Sequence, residues 1–232
     1  MDIDGVRIKP ALALGSWAAF HGGMVMGDLA LTENEVNDVI SAFQAGGIEQ
    51  TAVHNHLLRE SPRVAYVHFE GHGDRVSLAR TLRAALEKTK TPLTTVPSSQ
   101  PDVDLPTADL DRIIGASGKA NGGVYQFTIA RAEKIVENGM EIPPAMGVAT
   151  AINFQATTSG RAVTTGDFVM TANEVNSVIR ALRRGGISIT ALHSHMIREQ
   201  PRLFFMHFWG NDDVLALAKT LRAALDTMRM RR

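Results

Sequence analysis

The chain contains no cysteine. This absence excludes disulfides, thiolate zinc sites, iron–sulfur clusters and thiol nucleophiles, so any metal must be held by His, Asp, Glu or Met. An excess of one charge is also missing, because 24 Lys and Arg balance 24 Asp and Glu. That balance argues against nucleic acid as a partner and against a polybasic membrane surface. No apolar run reaches the roughly 18 residues that a membrane-spanning helix needs.

The amino terminus, residues 1–5, lacks the basic and apolar regions of a secretory signal peptide. The chain as written is therefore expected in the cytoplasm, whereas an incomplete amino terminus would allow an exported or periplasmic location. With 232 residues, 44% of them hydrophobic, the chain is long and apolar enough for one large domain or two modest ones.

An internal repeat dominates the sequence. Residues 27–86 align without a gap to residues 166–225, an offset of 139, and about 33 of the 60 aligned pairs are identical. The repeat predicts a tandem duplication. We expect a first unit at residues 1–88, a Thr-, Pro- and Ser-rich linker at 89–106, and a second unit at 107–232.

Each unit is predicted to have the element order ββαββα. Thr32 with Glu35, and Thr171 with Glu174, form capping boxes ahead of apolar residues at helical spacing. The second unit adds an amino-terminal helix and strand. The predicted strands are 25–31, 48–58 and 64–70 in the first unit, and 162–170, 187–197 and 203–209 in the second. This order contains a split βαβ core of the ferredoxin-like kind, so we expect an α+β protein with antiparallel sheets covered by helices.

Histidine carries the functional signal. Both units contain H-x-H and, after eleven further residues, a third His. The six residues are His54, His56, His68, His193, His195 and His207. A polar, Pro-containing turn lies between the two strand-like runs, so a hairpin centred on Ser61 or Gln200 is expected. The turn then sets His54 opposite His68, and His193 opposite His207.

Strand alternation puts all three histidines of a unit on one face, because side chains point to opposite faces with period two. Three imidazoles that converge suit a divalent ion at metal–nitrogen distances of about 2.0–2.1 Å. Zinc is the first choice, with iron, manganese or copper as alternatives. We therefore expect one metal site in each unit. A cluster held together by hydrogen bonds alone is the competing interpretation.

Two glutamates are candidate catalytic groups. Glu60 and Glu199 extend each motif to H-x-H-x3-E, which resembles the first motif of cupins. A regular hairpin would carry Glu60 about 13 Å beyond His56. We therefore expect both glutamates at the rim of the site, as general base, fourth ligand or hydrogen-bond partner of a ligand. A salt bridge to a neighbouring arginine is the alternative.

Four further residues are candidates for binding the substrate. Arg63 and Arg202 are suited to hold an anionic molecule, although solvated surface positions would explain them equally well. Tyr66 and Phe205 share the histidine face and are expected to wall the pocket, or to belong to the apolar core. The remaining acidic candidates, Asp28 and Asp167, either orient a histidine ligand or serve a turn or cap.

Resemblance to a known family rests on four segments: A-L-A-L-G-S-W-A-A-F at 11–20, G-D-L-A-L-T-E-N-E-V at 27–36, H-N-H-L-L-R-E-S-P-R at 54–63 and H-F-E-G-H-G-D at 68–74. They resemble the LppY/LpqO family of bacterial proteins, a domain of unknown function whose members are often exported or lipid-anchored. The resemblance covers nearly the whole chain. It implies no reaction, and its members generally have more sequence before the first repeat.

The histidine pattern predicts a metal-dependent enzyme, with hydrolase or lyase chemistry favoured. Three His ligands leave a coordination position open, where a bound water is acidified towards a pKa of about 7. The expected partner is a small-molecule substrate, and a homo-oligomer is an open alternative to a monomer. Two rival functions use the same ligands: a cupin-like redox enzyme of iron, manganese or copper, and a non-catalytic metal-binding or metal-buffering protein.

Overall fold

The chain folds into antiparallel sheets covered by helices, which confirms the predicted α+β class. The computed structural model describes residues 1–13, 15–93 and 103–231. Residues 94–102 of the predicted linker lie outside this part. The strands are β1 (Asp2–Ile3), β2 (Val6–Arg7), β3 (Trp17–His21), β4 (Met24–Leu31), β5 (Glu49–His54), β6 (Glu60–Ser61), β7 (Ala65–His72), β8 (Lys119–Asn121), β9 (Val124–Ala130), β10 (Ile135–Glu137), β11 (Met140–Ile142), β12 (Ala149–Ala156), β13 (Arg161–Thr171), β14 (Ser188–His193) and β15 (Leu203–Asp213). The helices are α1 (Pro10–Ala13), α2 (Val36–Ala45), α3 (Arg75–Leu86), α4 (Thr107–Ile114), α5 (Ala172–Arg184) and α6 (Val214–Leu225).

Two large sheets contain the repeated elements. The first has the strand order β3-β4-β7-β5, and the second has β14-β15-β13-β12-β9-β8. In the first sheet β7 lies antiparallel between β4 and β5, which are joined by α2. In the second, β15 lies in the same way between β13 and β14, which are joined by α5. Both are split βαβ units; their origin by duplication is an inference from the sequence alone.

Helices cover the outer face of each sheet. In the first sheet Leu29 and Phe69 face outward and pack with Phe43 and Leu82 of the helices. In the second sheet, outward-facing residues such as Phe168 pack with α5 and α6 in the same way. Each fully buried Leu or Phe contributes roughly 1.5–3 kcal/mol, so these layers account for much of the folding free energy. Among the described residues, no helix is both long enough and apolar enough to cross a membrane.

The inner faces of the two sheets pack against each other. Met24 and Met26 of β4 meet Val169 and Phe205 of the second sheet in one apolar cluster, together with Met196. Because side chains alternate along a strand, the inward-facing residues that follow in β4, β7, β13 and β15 also lie between the sheets. The space between the sheets is therefore formed by both halves of the chain.

The predicted hairpin register is wrong by two residues. His54 does not lie opposite His68: it pairs with Tyr66, and His68 pairs with Ala52. A shift of two preserves the face on which each side chain lies, because the period of a strand is two. The histidines therefore still share one face, as predicted.

The second hairpin has the same error. His193 pairs with Phe205 rather than with His207, which lies opposite Ala191. In the first hairpin the physical cause is the connection at residues 55–64, which is not a tight turn. There β6 leaves the hairpin and pairs with β1, so a turn centre read from the sequence does not set the pairing.

One of the two predicted capping boxes is complete. Thr171 and Glu174 cap α5 reciprocally, as predicted. At α2 the helix begins at Val36, and Glu35 accepts a hydrogen bond from the backbone of Thr32 at 2.8 Å without a reciprocal side-chain bond. The first-unit helix therefore starts later than its counterpart.

Candidate metal centre

The six predicted histidines form a single cluster between the two sheets. His54 and His193 end β5 and β14, and His56 and His195 follow two residues later. His68 and His207 lie within β7 and β15. The sheets pack with their histidine faces together, and the expectation of one metal site in each unit stays a prediction.

Face-to-face contacts between the halves organise the cluster. Each ring stacks on one ring of the other half: His54 on His193, His56 on His207, and His68 on His195. The three centroid separations are 3.7, 3.8 and 3.9 Å. The six rings therefore form two layers of three, one layer from each half of the chain.

Geometry within the layers obeys an approximate two-fold relation. When each histidine of the first half is replaced by its equivalent 139 positions later, the distances between ring centroids stay nearly the same. The His54–His56 and His193–His195 centroids are both 5.0 Å apart. The His54–His68 separation of 5.0 Å corresponds to 4.8 Å for His193–His207. A pseudo-two-fold axis thus passes through the cluster.

Two aspartates complete the cluster. An Asp28 carboxylate oxygen lies 3.2 Å from His56 Nε2 and 3.6 Å from His68 Nε2. Asp167 lies 3.0 Å from His195 Nε2. The sequence offered both aspartates only as orienting, turn or capping groups. The signal that would have selected them is strand alternation, since Asp28 pairs directly with His68 across β4 and β7.

Glycine precedes each aspartate for a steric reason. A Cβ at Gly27 would overlap the carbonyl oxygen of Trp17, and a Cβ at Gly166 would overlap that of Ala151. The strands therefore approach closely only because the side chain is absent. The main-chain carbonyl of Gly166 also accepts a hydrogen bond from Nδ1 of His207 at 2.8 Å. The repeated Gly-Asp pair thus helps to position the cluster.

Several imidazole nitrogens are aimed into the cluster without a hydrogen bond. Nδ1 of His195 lies 3.1 Å from the carbonyl of Gly147, which directs Nε2 inward, as the Gly166 carbonyl does for His207. Buried nitrogens without a hydrogen-bond partner among the described residues are His54 Nδ1, His68 Nε2, both nitrogens of His193, and His195 Nε2. A metal-bound histidine typically bonds a carbonyl through its other nitrogen in this way.

Burial favours the neutral form of four of the imidazoles, those of His54, His68, His193 and His195. Desolvation, reinforced by His207, lowers the pKa of His54 to about 3, and desolvation also lowers the pKa of His195 to about 3. The pKa values of His68 and His193 are lowered by burial as well. Burial has the opposite effect on a carboxyl group and raises the pKa of Asp167 to about 6. Neutral imidazole is the form that binds a metal ion.

Three sets of histidines have ligand atoms within 4.8 Å of one another and could hold a metal ion. One set is the predicted first-unit trio. The other two sets combine residues of both halves. The sets are His54, His56 and His68; His54, His193 and His207; and His68, His193 and His195. Nitrogens around a tetrahedral zinc lie about 3.4 Å apart, so small ring movements would close any of these sets.

A cavity of about 590 Å³ opens onto the cluster. Its inner wall contains both aspartates and four of the histidines, whereas His54 and His193 lie behind them. Trp17, Gln126 and Asn153 contribute to the remaining walls. No Lys or Arg belongs to this lining among the described residues. The cavity therefore offers hydrogen-bond acceptors and aromatic surface rather than positive charge.

The glutamate candidates lie outside this lining. Glu60 accepts a hydrogen bond from the backbone N–H of Val64 at 3.0 Å. Glu199 accepts one from Leu203 at 2.8 Å and pairs with Arg202 at 3.1 Å. Both carboxylates are buried in the loops that follow β5 and β14. Their hydrogen bonds stabilise the segments in which they lie. A role as general base at the metal stays a prediction, and this placement does not favour it.

The arginine candidates also point elsewhere. Arg63 is exposed and lies 3.7 Å from Glu33. Arg202 donates to the carbonyls of Met196 and Ile197, so it holds its own loop together. Neither guanidinium belongs to the cavity lining. A substrate-binding role for them stays a prediction.

The aromatic candidates contact the cluster directly. Tyr66 stacks on His56 with ring centroids 3.3 Å apart, and Phe205 stacks on His195 at 3.5 Å. Each therefore continues a ring stack that runs from one half of the chain to the other. Both side chains are fully buried. They support the histidines from behind, and contact with a substrate stays a prediction.

The chain matches the family described as Domain of Unknown Function (DUF1259) over residues 1–88 and 108–227. It belongs to the DUF1259 family. No curated protein matches the chain. Among solved structures, the crystal structure of a trimeric bacterial microcompartment shell protein, PduB, is similar at 14% identity with a TM-score of 0.23, covering 88% of this chain and 76% of that one. The function of this DUF1259 chain has to be argued from the histidine cluster itself.

Proposed function

We propose that the protein is a metal-dependent hydrolase or lyase whose divalent ion, with zinc as the first choice, is bound by the histidine cluster. The observation that carries this proposal is the set of buried imidazole nitrogens without hydrogen-bond partners. Leaving buried polar atoms unsatisfied is costly, and a cation that accepts their lone pairs removes that cost. The Nδ1 contacts of His195 and His207 with main-chain carbonyls favour the same interpretation.

The carboxylates of this proposed site are Asp28 and Asp167 instead of Glu60 and Glu199. They border the cavity and lie beside imidazole nitrogens. Each is suited to ligate the ion or to accept a proton from a substrate bound in the cavity. A bound divalent ion would supply a Lewis acid and an acidified water. Catalysis of hydrolysis or elimination follows from that combination.

The cavity lining suggests the class of substrate. Because no cationic side chain lines the described cavity, a neutral molecule rich in hydrogen-bond donors fits it better than the anionic substrate that Arg63 and Arg202 suggested. Trp17 provides an apolar surface, and the acceptors of Asp28 and Asp167 provide polar contacts. We propose a small neutral polar substrate for this reason.

Metal analysis combined with a hydrolysis screen tests the proposal. The purified protein is stripped with a chelator, reloaded with zinc, and assayed on chromogenic carboxylic esters, phosphate esters and glycosides. We expect zinc-dependent turnover of at least one of these classes that the Asp167→Asn variant reduces by 10-fold or more. A zinc-loaded protein with no turnover above that variant would contradict catalysis and favour metal storage.

A second candidate function is redox chemistry on iron. It is favoured by one observation: Asp28 lies within 3.6 Å of both His56 and His68. Two histidines and one carboxylate that leave positions open form the facial triad of non-haem iron oxygenases. Oxygen consumption by the iron(II)-loaded protein, absent from the zinc-loaded protein, would favour this function over hydrolysis.

Three further predictions are carried forward as proposals. They are the LppY/LpqO assignment, the division into units at residues 1–88 and 107–232, and formation of a homo-oligomer. None of them supplies a reaction. A size measurement in solution addresses the last of them directly.

A further inference from the structure

We propose that the cluster binds two metal ions, one in each histidine layer, as a single coupled two-metal centre on the pseudo-two-fold axis. This inference rests on the proposed function for the presence of a metal. The inference adds to the proposed function the number of ions, the ligands of each ion and the distance between the ions.

Ring separations and stacking together indicate which histidines share an ion, because the cross-half pairs His54–His207 and His68–His193, with centroids 5.4 Å apart, meet the separation alone. Two imidazoles on one tetrahedral ion, with nitrogens about 2.1 Å from it, have centroids about 5 Å apart. The separations of 5.0 Å for His54–His56 and for His54–His68 meet this requirement. The separations of 5.0 and 4.8 Å from His193 to the other two rings of its layer meet it as well.

The stacked pairs do not meet that requirement. Rings with centroids 3.7–3.9 Å apart are in contact across their faces, which is too close for two ligands of one tetrahedral ion. Each of the two mixed sets of histidines contains such a pair: one contains His54 with His193, and the other contains His68 with His195. Of the three sets, His54, His56 and His68 alone contains no stacked pair, and the equivalent layer in the second half follows from the pseudo-two-fold relation.

The number of ligands also requires two ions. Six imidazoles and two carboxylates exceed the four ligands of a tetrahedral site and the six of an octahedral one. Divided by the pseudo-two-fold axis, they give each ion three histidine ligands with one aspartate beside them, and the fourth position stays open for water. Asp28 lies beside His56 and His68 of the first layer, and Asp167 lies beside His195 of the second. No described group of the cluster is then left over.

Charge and spacing agree with this assignment. Asp28 and Asp167 line the same cavity, and no described Lys or Arg belongs to that lining to offset their charge. Two divalent ions would do so. Because the layers stack at 3.7–3.9 Å, the ions would lie about 4 Å apart, the spacing of two-metal hydrolytic centres. Such a pair stabilises the attacking and leaving oxygens together.

Crossed double variants test which histidines share an ion. Under our assignment His56→Ala with His68→Ala damages only the first ion, so zinc content should fall from two ions per chain to one. His56→Ala with His207→Ala damages both ions, so both should be lost. The variant His21→Ala, at an exposed histidine outside the cluster, is the matched control and should retain two ions.

Zinc content is measured by elemental analysis of the full chain after dialysis against zinc. One ion per chain in the wild-type protein would overturn the inference. So would the reverse pattern, in which the His56/His207 pair retains one ion and the His56/His68 pair retains none, because the ions would then be shared between the halves.

X-ray absorption of the zinc-loaded wild-type protein keeps the test valid if a double variant fails to fold. We expect metal–metal scattering at about 4 Å, and its absence would overturn the coupled centre. The outcome is separable from the proposed function. Two bound ions without any turnover would contradict the proposed hydrolase and support the two-metal centre. Turnover with a single bound ion would support the hydrolase and contradict the two-metal centre.

Discussion

The hydroxyl of Thr51 donates a 2.6 Å hydrogen bond to the main-chain carbonyl of His195, which belongs to the other half of the chain. Its equivalent, Thr190, donates a 2.6 Å hydrogen bond to the carbonyl of His56. Each threonine sits at the irregularity where its strand slips in register against its partner. Bulges commonly redirect a side chain. Here they direct both hydroxyls across the interface to the residues that carry the cluster.

Replacing Thr51 by Val should therefore weaken both the interface and metal binding. The shape of the side chain is preserved, but a carbonyl in the interface loses its donor, so we expect a loss of about 1–3 kcal/mol in the free energy of unfolding. Urea denaturation of the metal-free protein measures this loss, and zinc titration measures the affinity. Thr51→Ser keeps the hydroxyl and is the control. Equal stability of the Val and Ser variants would contradict the role of this hydrogen bond.

Loading the cluster with zinc should stabilise the protein against heat. The buried nitrogens of His193 and its neighbours have no hydrogen-bond partners among the described residues, so an ion binds the folded state far better than the unfolded one. Free zinc at 100 times its dissociation constant adds about 2.7 kcal/mol. Calorimetry with and without chelator measures the shift in Tm. Magnesium, which prefers oxygen ligands, is the control and should have little effect.

Much of the fold could be predicted because local signals were strong and repeated. Helices α3 and α6 begin where Asp74 and Asp213 cap them, and the split βαβ arrangement follows from the order of elements. The shared face of His54 and His68 survived the register error because a shift of two residues preserves the face. The period of two along a strand therefore predicted correctly the face on which each histidine lies. It did not predict which residue of the neighbouring strand lies opposite that histidine.

The joining of the two halves could not be predicted. Each unit by itself explains a three-histidine site, and nothing local in the sequence indicates that the faces bearing His54 and His193 stack against each other. That contact depends on how two sheets pack, which involves residues more than 100 positions apart. The role of Glu60 and Glu199 at the metal stays a prediction, and hydrogen bonds within their own loops engage both carboxylates.

Arg63→Ala should leave the protein nearly unchanged. Its side chain is 70% exposed, lies 3.7 Å from the exposed Glu33 and acts on Glu60 through its charge, so a stability change within about 0.5 kcal/mol is expected. Arg202→Ala should cost about 1–3 kcal/mol, because the fully buried carboxylate of Glu199 loses its cation. Urea denaturation of both variants measures the difference. A raised KM for Arg63→Ala with an intact fold would restore the arginine to the substrate site.

We expect Glu174, at the start of α5, to stabilise the protein more than its equivalent Glu35, at the start of α2. Its carboxylate accepts hydrogen bonds from Arg131 at 2.8 and 3.2 Å, and from the backbone N–H groups of Thr171 and Arg229. The guanidinium of Arg131 is almost fully buried. Breaking a buried ion pair of this kind typically costs 3–5 kcal/mol. Its equivalent, Glu35, accepts hydrogen bonds from the backbone N–H groups of Thr32 and Lys90 and from the Thr32 side chain.

We therefore expect Glu174→Gln to lose about 3 kcal/mol at pH 7 and Glu35→Gln to lose less than about 1 kcal/mol. Burial alone would raise the pKa of Glu174, but Arg131 and the backbone donors outweigh it and hold that pKa below 4.5. A carboxyl whose pKa is lowered by folding stabilises the folded state at pH values above its ordinary, unfolded-state pKa. This stabilisation is lost as the pH falls through the folded-state pKa. The difference in the free energy of unfolding between the wild-type protein and Glu174→Gln should accordingly be constant from pH 6 to 8 and should shrink below about pH 4.5. Urea unfolding across this range measures it, and a difference that grows in acid would contradict the ion-pair assignment.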